Sequence, residues 1–276
     1  VHLNLVKVLR MIIGLIGCGK MGSALTLGAI NKGVFESRQV LAYDPVPETI
    51  AALGGGILAA DSLEAAIQGS DILLLCVKPY QVAEVLAKIP SLVDSPDKLL
   101  VISIAAGVQI ETMENSCKHK ARIVRTMPNT PALVGEGAAA FALGKKATDA
   151  DADFTDKLLG SIGIVYEMKE SLLDTVTGLS GSGPAYVYTF IEALADGALL
   201  EGLPRDQALA LATQTVLGAA RMVADSGDHP GILRDRVTSP GGTTIAGLAA
   251  LEEGAFRSST INAVKAATEK ARELGR

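Results

Sequence analysis

Apolar residues in the first half of the chain come in short runs, each closed by glycine, proline or a small polar residue. Met11–Ile16, Val40–Asp44, Ile57–Ala60, Lys98–Ile104 and Arg122–Arg125 read as strands separated by stretches with turn chemistry. Asp71–Val77 is almost continuously apolar, the pattern of a strand covered on both faces of a parallel sheet. Helices are predicted from about Ser23 to Lys32, from Asp61-Ser62 to about Gln68, and from about Asp149 to Leu159. The last of these is bracketed by two final strands, Gly137–Leu143 and Gly163–Glu167. After Lys169 the strand signals stop. Helical periodicity fills Pro184–Gly202, Pro204–Ser226, Thr243–Gly254 and Phe256–Leu274, with Pro184 at a helix start and Gly202 beyond a helix end. The pattern divides the chain into an α/β half with a mostly parallel sheet, residues 11–168, and an all-helical half, residues 169–276.

Composition sharpens this picture. Hydrophobic residues make up 49% of the 276, but aromatics only 4%, with no Trp, so the core is built from small and aliphatic side chains. A net charge of −5 without any basic block argues against nucleic acid or an anionic membrane as partner. Cys18, Cys76 and Cys117 are scattered, which suggests a reducing compartment, here expected to be the cytoplasm, and no metal site. No run approaches a membrane span. Lys7 and Arg10 ahead of an apolar stretch mimic a signal peptide, but that stretch runs straight into a glycine motif that cleavage would destroy. Met11 is the expected start of the folded chain, with Val1–Arg10 an upstream extension. The helical half, rich in Ala and Gly, buries little by itself, so an obligate interleaved dimer is expected.

Two stretches carry candidate chemistry. Gly17-Cys18-Gly19-Lys20-Met21-Gly22 is G-x-G-x-x-G placed after a strand and opening a helix, the setting that gives this pattern meaning as the dinucleotide loop of a Rossmann-type domain. Gly17 permits the tight turn, Gly19 lets backbone approach a pyrophosphate, and Gly22 lets the helix pack on the strand. Asp44, ending the second strand, stands where a ribose-binding carboxylate would, although Asp before Pro45 also suits an ordinary turn. Strand ends at Val77-Lys78-Pro79, Ala105-Ala106-Gly107 and Met127–Pro131 supply small or turn-forming segments on the side where ligands bind such sheets.

The second stretch is Val237–Leu248. Here Ser239-Pro240-Gly241-Gly242 forms a turn leading into a helix that starts at Thr243-Thr244. Glycines able to take positive φ let successive N–H groups converge, and the helix adds its free amides and positive dipole end, a cup suited to a carboxylate. The plainer alternative makes Thr243 or Thr244 an N-cap only.

Together with Gly178–Tyr186 and His229-Pro230-Gly231, these motifs make the chain resemble the Δ1-pyrroline-5-carboxylate reductases over essentially its whole length from Met11. The resemblance implies a Rossmann domain, a C-terminal all-α dimerisation domain, assembly of dimers into decamers, and hydride transfer from NADP(H) or NAD(H) to a cyclic imine. It places the substrate carboxylate on Ser239, Gly241, Gly242, Thr243 and Thr244, with Thr244 as the catalytic residue that bonds the imine nitrogen and either relays a proton or orients the ring. It places the coenzyme on Ile16, Gly17, Cys18, Gly19, Lys20, Met21, Asp44, Val77, Lys78, Pro79, Ala105, Ala106 and Asn129, with Glu170 nearby and no metal. Asp44 would repel a 2′-phosphate and favour NADH, whereas the family often prefers NADPH; both coenzymes are expected to work. The rivals are a general imine reductase, a β-hydroxyacid dehydrogenase or a non-catalytic dinucleotide sensor. The dehydrogenase needs a helix-borne Lys, and Pro184–Ser226 contains none.

Overall fold

A computed structural model describes residues 11–275; the predicted upstream extension Val1–Arg10 lies outside the described residues. The described residues form two compact units. One comprises those up to Gly181 together with those from Ala267 on; the other is Ser182–Ala266.

The first unit is built on an eight-stranded sheet: β1 (Ile13–Ile16), β2 (Val40–Tyr43), β3 (Leu58–Ala59), β4 (Ile72–Leu75), β5 (Leu100–Ser103), β6 (Arg122–Met127), β7 (Gly137–Leu143) and β8 (Gly163–Glu167). The strand order is β3-β2-β1-β4-β5-β6-β7-β8. All pairings are parallel except β6 with β7. Its helices are α1 (Lys20–Asn31), α2 (Pro47–Ala51), α3 (Leu63–Gln68), α4 (Val82–Leu92), α5 (Ile110–Ser116), α6 (Asp149–Gly160) and α7 (Leu173–Val176), the last running into a π-helical turn over Thr177–Gly181. This is the mostly parallel, doubly wound architecture the strand runs predict.

Alternation along the central strands explains why they are apolar throughout. Ile72 and Leu74 of β4 join one core with Leu25 of α1 and Leu158 of α6. Leu73 and Leu75 point the other way, into a core with Ile67 of α3, Leu86 of α4 and Met113 of α5. Each such fully buried Leu contributes about 2 kcal/mol. Local signals set the helix ends: Ser62 accepts the Ala65 N–H at the start of α3, and Thr148 with Asp151 forms a capping box on α6.

The sheet is tied to α7 by a charged clasp that strand patterning does not foresee. Arg125 of β6, buried at 3% exposure, donates to Glu170 at 3.1 Å and to Asp174 at 2.7 Å. Glu170 also accepts the Ile110 N–H at 2.6 Å.

The second unit contains α8 (Gly183–Leu200), α9 (Arg205–Ser226), α10 (Pro230–Arg236), α11 (Thr243–Glu253) and the start of α12 (Phe256–Leu274). Four of these helices match the periodic stretches in the sequence; α10, capped by the His229 ring accepting the Gly231 N–H at 3.1 Å, is an addition. Its buried core is only Ala195, Ala208 and Ala212. Large apolar side chains instead lie exposed along α8, α9 and α11, among them Tyr188, Leu200, Leu211, Leu217 and Ile245. Among the described residues no helix is long and apolar enough to cross a membrane, and no cluster of His, Cys, Asp or Glu could hold a metal ion.

Candidate active site

In the first unit the sheet order reverses at β1, with β2 on one side and β4 on the other, and ligands in such sheets bind beyond the strands' carboxyl ends at this switch point. The glycine loop leaves β1 there. Gly17 takes φ +97°, and a Cβ on it would lie 2.6 Å from the Cys76 carbonyl oxygen. A Cβ on Gly22 would lie 2.3 Å from the Gly17 carbonyl oxygen, so its absence lets α1 seat against the loop. Gly19 differs: a Cβ there would meet nothing within 4 Å. Its missing side chain serves open space, as backbone that must approach a ligand requires. No side chain caps α1, so its first amides, those of Lys20, Met21 and Gly22, stay free for an anion.

The space above the loop is a cleft of 770 Å³, within the range of pockets that hold small ligands. It gathers Ile16, Gly17, Gly19, Lys20, Met21, Asp44, Val77, Lys78, Pro79, Ala105 and Ala106 from the predicted coenzyme set. Volume, open loop and free helix amides fit a dinucleotide.

Two predicted coenzyme residues sit elsewhere. Asn129 is buried, its amide donating to the Ser180 carbonyl at 3.0 Å and accepting the Ala138 N–H at 2.8 Å, which leaves it clasping the π-turn to β7. Cys18 is buried beneath the loop, outside the lining. Burial, and secondarily the Asp44 charge, pushes its thiol up to about 12; burial does the same for Cys76, again to about 12, so both are inert as nucleophiles. Glu170, a further suggestion, is engaged by Arg125 and the Ile110 amide. The cleft also holds residues that sequence reading missed: Tyr43, Pro45, Leu63, Gln81, Glu84, Val85 and Ile104. Tyr43 and Pro45 flank Asp44 and were within reach of the motif. Leu63, Glu84 and Val85 sit on helices whose sequence patterns say nothing about a cleft.

In the second unit the Ser239–Thr244 stretch adopts the predicted turn and helix start. Gly241 takes φ +68°, whereas Gly242 is extended at φ −82° and is itself the N-cap of α11. Neither Thr243 nor Thr244 caps the helix, and no side chain does. A Cβ on Gly242 would lie 2.3 Å from the Ser239 hydroxyl, which would have to turn aside. The Gly242 N–H donates to the Ser239 carbonyl at 3.1 Å. The cup therefore has the Thr243 and Thr244 amides to offer, both in the first turn where no helical carbonyl lies one turn back.

A family model described as pyrroline-5-carboxylate reductase dimerisation matches residues 170–274. A second, described as NADP oxidoreductase coenzyme F420-dependent, matches residues 12–107. The pyrroline-5-carboxylate reductase of Pisum sativum is 47% identical over 263 residues, covering 95% of both chains. The chain belongs to the pyrroline-5-carboxylate reductase family. A family member from Methanosarcina acetivorans is 46% identical, with 96% of this chain and 98% of that protein covered. The crystal structure of Plasmodium falciparum pyrroline carboxylate reductase with NADP bound superposes with a TM-score of 0.86 at 35% identity, covering 96% of this chain and 98% of the other. The glycine-loop cleft and the α11 turn thus lie in a chain that matches reductases of this family over 95–96% of its length.

Proposed function

We propose that this protein is a pyrroline-5-carboxylate reductase, reducing the C=N bond of Δ1-pyrroline-5-carboxylate to give L-proline, the last step of proline biosynthesis. Full-length identity of 47% to a reductase of that name carries the reading. Residues 11–168 serve as the dinucleotide-binding half and residues 169–276 as the dimerisation and substrate half. The bound coenzyme, NADPH or NADH, supplies the hydride that reduces the imine carbon.

The chain's own contributions follow from the geometry. The free amides of Lys20, Met21 and Gly22, with the bare Gly19 leaving room, would hold a pyrophosphate, and Val77, Lys78, Pro79, Ala105 and Ala106 wall the rest of the cleft. Lys78 is exposed on this wall and serves as a contact to the sugar rather than as an acid. The Thr243 and Thr244 amides, with the Ser239 hydroxyl and the left-handed turn at Gly241, take the substrate carboxylate. The Thr244 hydroxyl bonds the imine nitrogen. A protonated imine already accepts hydride, so positioning and exclusion of water can supply most of the acceleration without a strong protein acid. Asn129 and Cys18 shape the site from behind rather than touching coenzyme.

The protein self-associates through its helical half. A three-alanine core beneath a surface of exposed Leu, Ile and Tyr favours a dimer over an isolated helical unit. Assembly of dimers into decamers and a cytoplasmic location belong to the same reading. Coenzyme oxidation with pyrroline-5-carboxylate as substrate tests the function: steady turnover is expected, and folded, dimeric protein that binds coenzyme yet leaves it unoxidised would refute it.

A further inference from the structure

Besides lining the cleft, Asp44 is bonded by the fold to the glycine loop. Its Oδ2 accepts the Cys18 N–H at 2.8 Å, across 26 residues of sequence, and its Oδ1 accepts the Val46 N–H at 2.9 Å. One residue earlier, the Gly17 N–H donates to the Tyr43 carbonyl at 2.9 Å. Two successive amides of the glycine loop are thereby pinned to the end of β2. Asp44 itself lines the cleft, whereas Cys18, between the lining Gly17 and Gly19, does not, so the bond ties the cleft wall to the loop.

This loop has particular need of a brace. Gly17 sits in the left-handed region and Gly19 carries no side chain to pack against anything, so the segment loses much backbone entropy when it orders. A loop ordered only part of the time binds its ligand more weakly by that fraction. A bond from an amide to an ionised carboxylate is among the stronger ones available to oppose this.

We infer that Asp44 is a positioning residue for the glycine loop: its carboxylate holds the loop in the form that receives a pyrophosphate, and so supports NADH and NADPH alike instead of choosing between them at the ribose. The inference rests on the coenzyme-binding reading given above. Burial first, and the Asp44 charge second, raise the Cys18 thiol, in keeping with a carboxylate beside the loop. Asn in place of Asp offers one carbonyl oxygen to one of the two amides and turns its NH2 toward the other, so it should restore only part of the brace.

The test compares wild type, Asp44→Ala and Asp44→Asn in two ways. Amide hydrogen exchange across residues 16–22 is followed in the coenzyme-free protein, and dissociation constants for NADH and NADPH are measured separately by calorimetry. For Asp44→Ala, the Cys18 amide should exchange faster, and both constants should rise together by about tenfold. Asp44→Asn should fall between the two and keeps the test open if the alanine variant fails to fold. Unchanged exchange across the loop overturns the inference. So does weakened NADH binding with NADPH binding unchanged or tightened, the signature of a ribose reader. Wild-type protein that binds neither coenzyme sinks the functional reading and this inference with it. Wild type that binds both, beside variants that behave otherwise than stated, sinks the inference alone.

Discussion

Replacing Gly19 by Ala separates the loop's role in folding from its role in binding. Gly19 has φ −69° and ψ −178°, ordinary extended backbone for any residue, and an added Cβ meets no atom within 4 Å. Gly-to-Ala at such a position stabilises by about 0.4–1 kcal/mol, chiefly by restricting the unfolded chain. For a chain of this size that raises Tm by roughly 1–4 °C. The new methyl, however, projects into the space where a pyrophosphate must approach the loop. Displacing one charge-assisted amide–phosphate bond costs about 1.5–3 kcal/mol, so the dissociation constant for NADPH should rise between about tenfold and a hundredfold. Gly17→Ala and Gly22→Ala are the contrast. Their methyls would lie 2.6 Å and 2.3 Å from backbone oxygens, so each costs about 1–3 kcal/mol of folding stability through forced backbone movement. Thermal melting and coenzyme titration of the three variants decide the matter. A Gly19→Ala protein that binds NADPH as tightly as wild type would show that the space above Gly19 is not the pyrophosphate seat.

Three further outcomes are expected. Thr244→Ala should lower kcat/KM by about tenfold while Thr244→Ser keeps most activity; a Thr244→Ala variant with near wild-type rates at both limiting and saturating substrate would remove the hydroxyl from the mechanism. Arg125→Ala leaves Glu170 and Asp174 without their buried partner and should cost about 3 kcal/mol in urea unfolding; the partial exposure of Glu170 keeps this at the lower end of such losses, and an unchanged midpoint would sink the clasp. Burial pushes the folded Cys18 and Cys76 thiols up from 9.0 to about 12, so the unfolded chain loses these protons first and stability should fall as pH rises from about 9 to 12. A Cys18→Ala, Cys76→Ala double variant should lose that slope, as read by denaturant melts across the pH range; a slope that persists undiminished assigns it to other groups.

Much of this protein is legible in one dimension because its determinants are local. The near-continuous apolar run 71–77 announces a strand covered on both faces, and β4 is such a strand. Gly17, Gly19 and Gly22 announce a loop because their spacing between a strand and a helix start is itself a local pattern. The left-handed turn at Gly241 follows from Pro240 and two glycines in the same way. What escaped the sequence depends on partners far along the chain. Asn129 has the residue type and strand-end position of a coenzyme contact, yet Ser180 and Ala138 claim its amide. Arg125 looks like one more polar strand residue, and only folding brings Glu170 and Asp174 to it. Asp44 suited both a turn and a ribose, and the 26-residue span to Cys18 adds a third use that no local pattern encodes. Sequence alone therefore determined the strands, the glycine loop, the family and many of the helices, though not α2, α4, α5, α7 or α10, since periodicity and turn chemistry act over a few residues. The tertiary structure decided which polar side chains face the cleft and which are spent holding it, because a buried polar group goes to whichever partner the fold supplies.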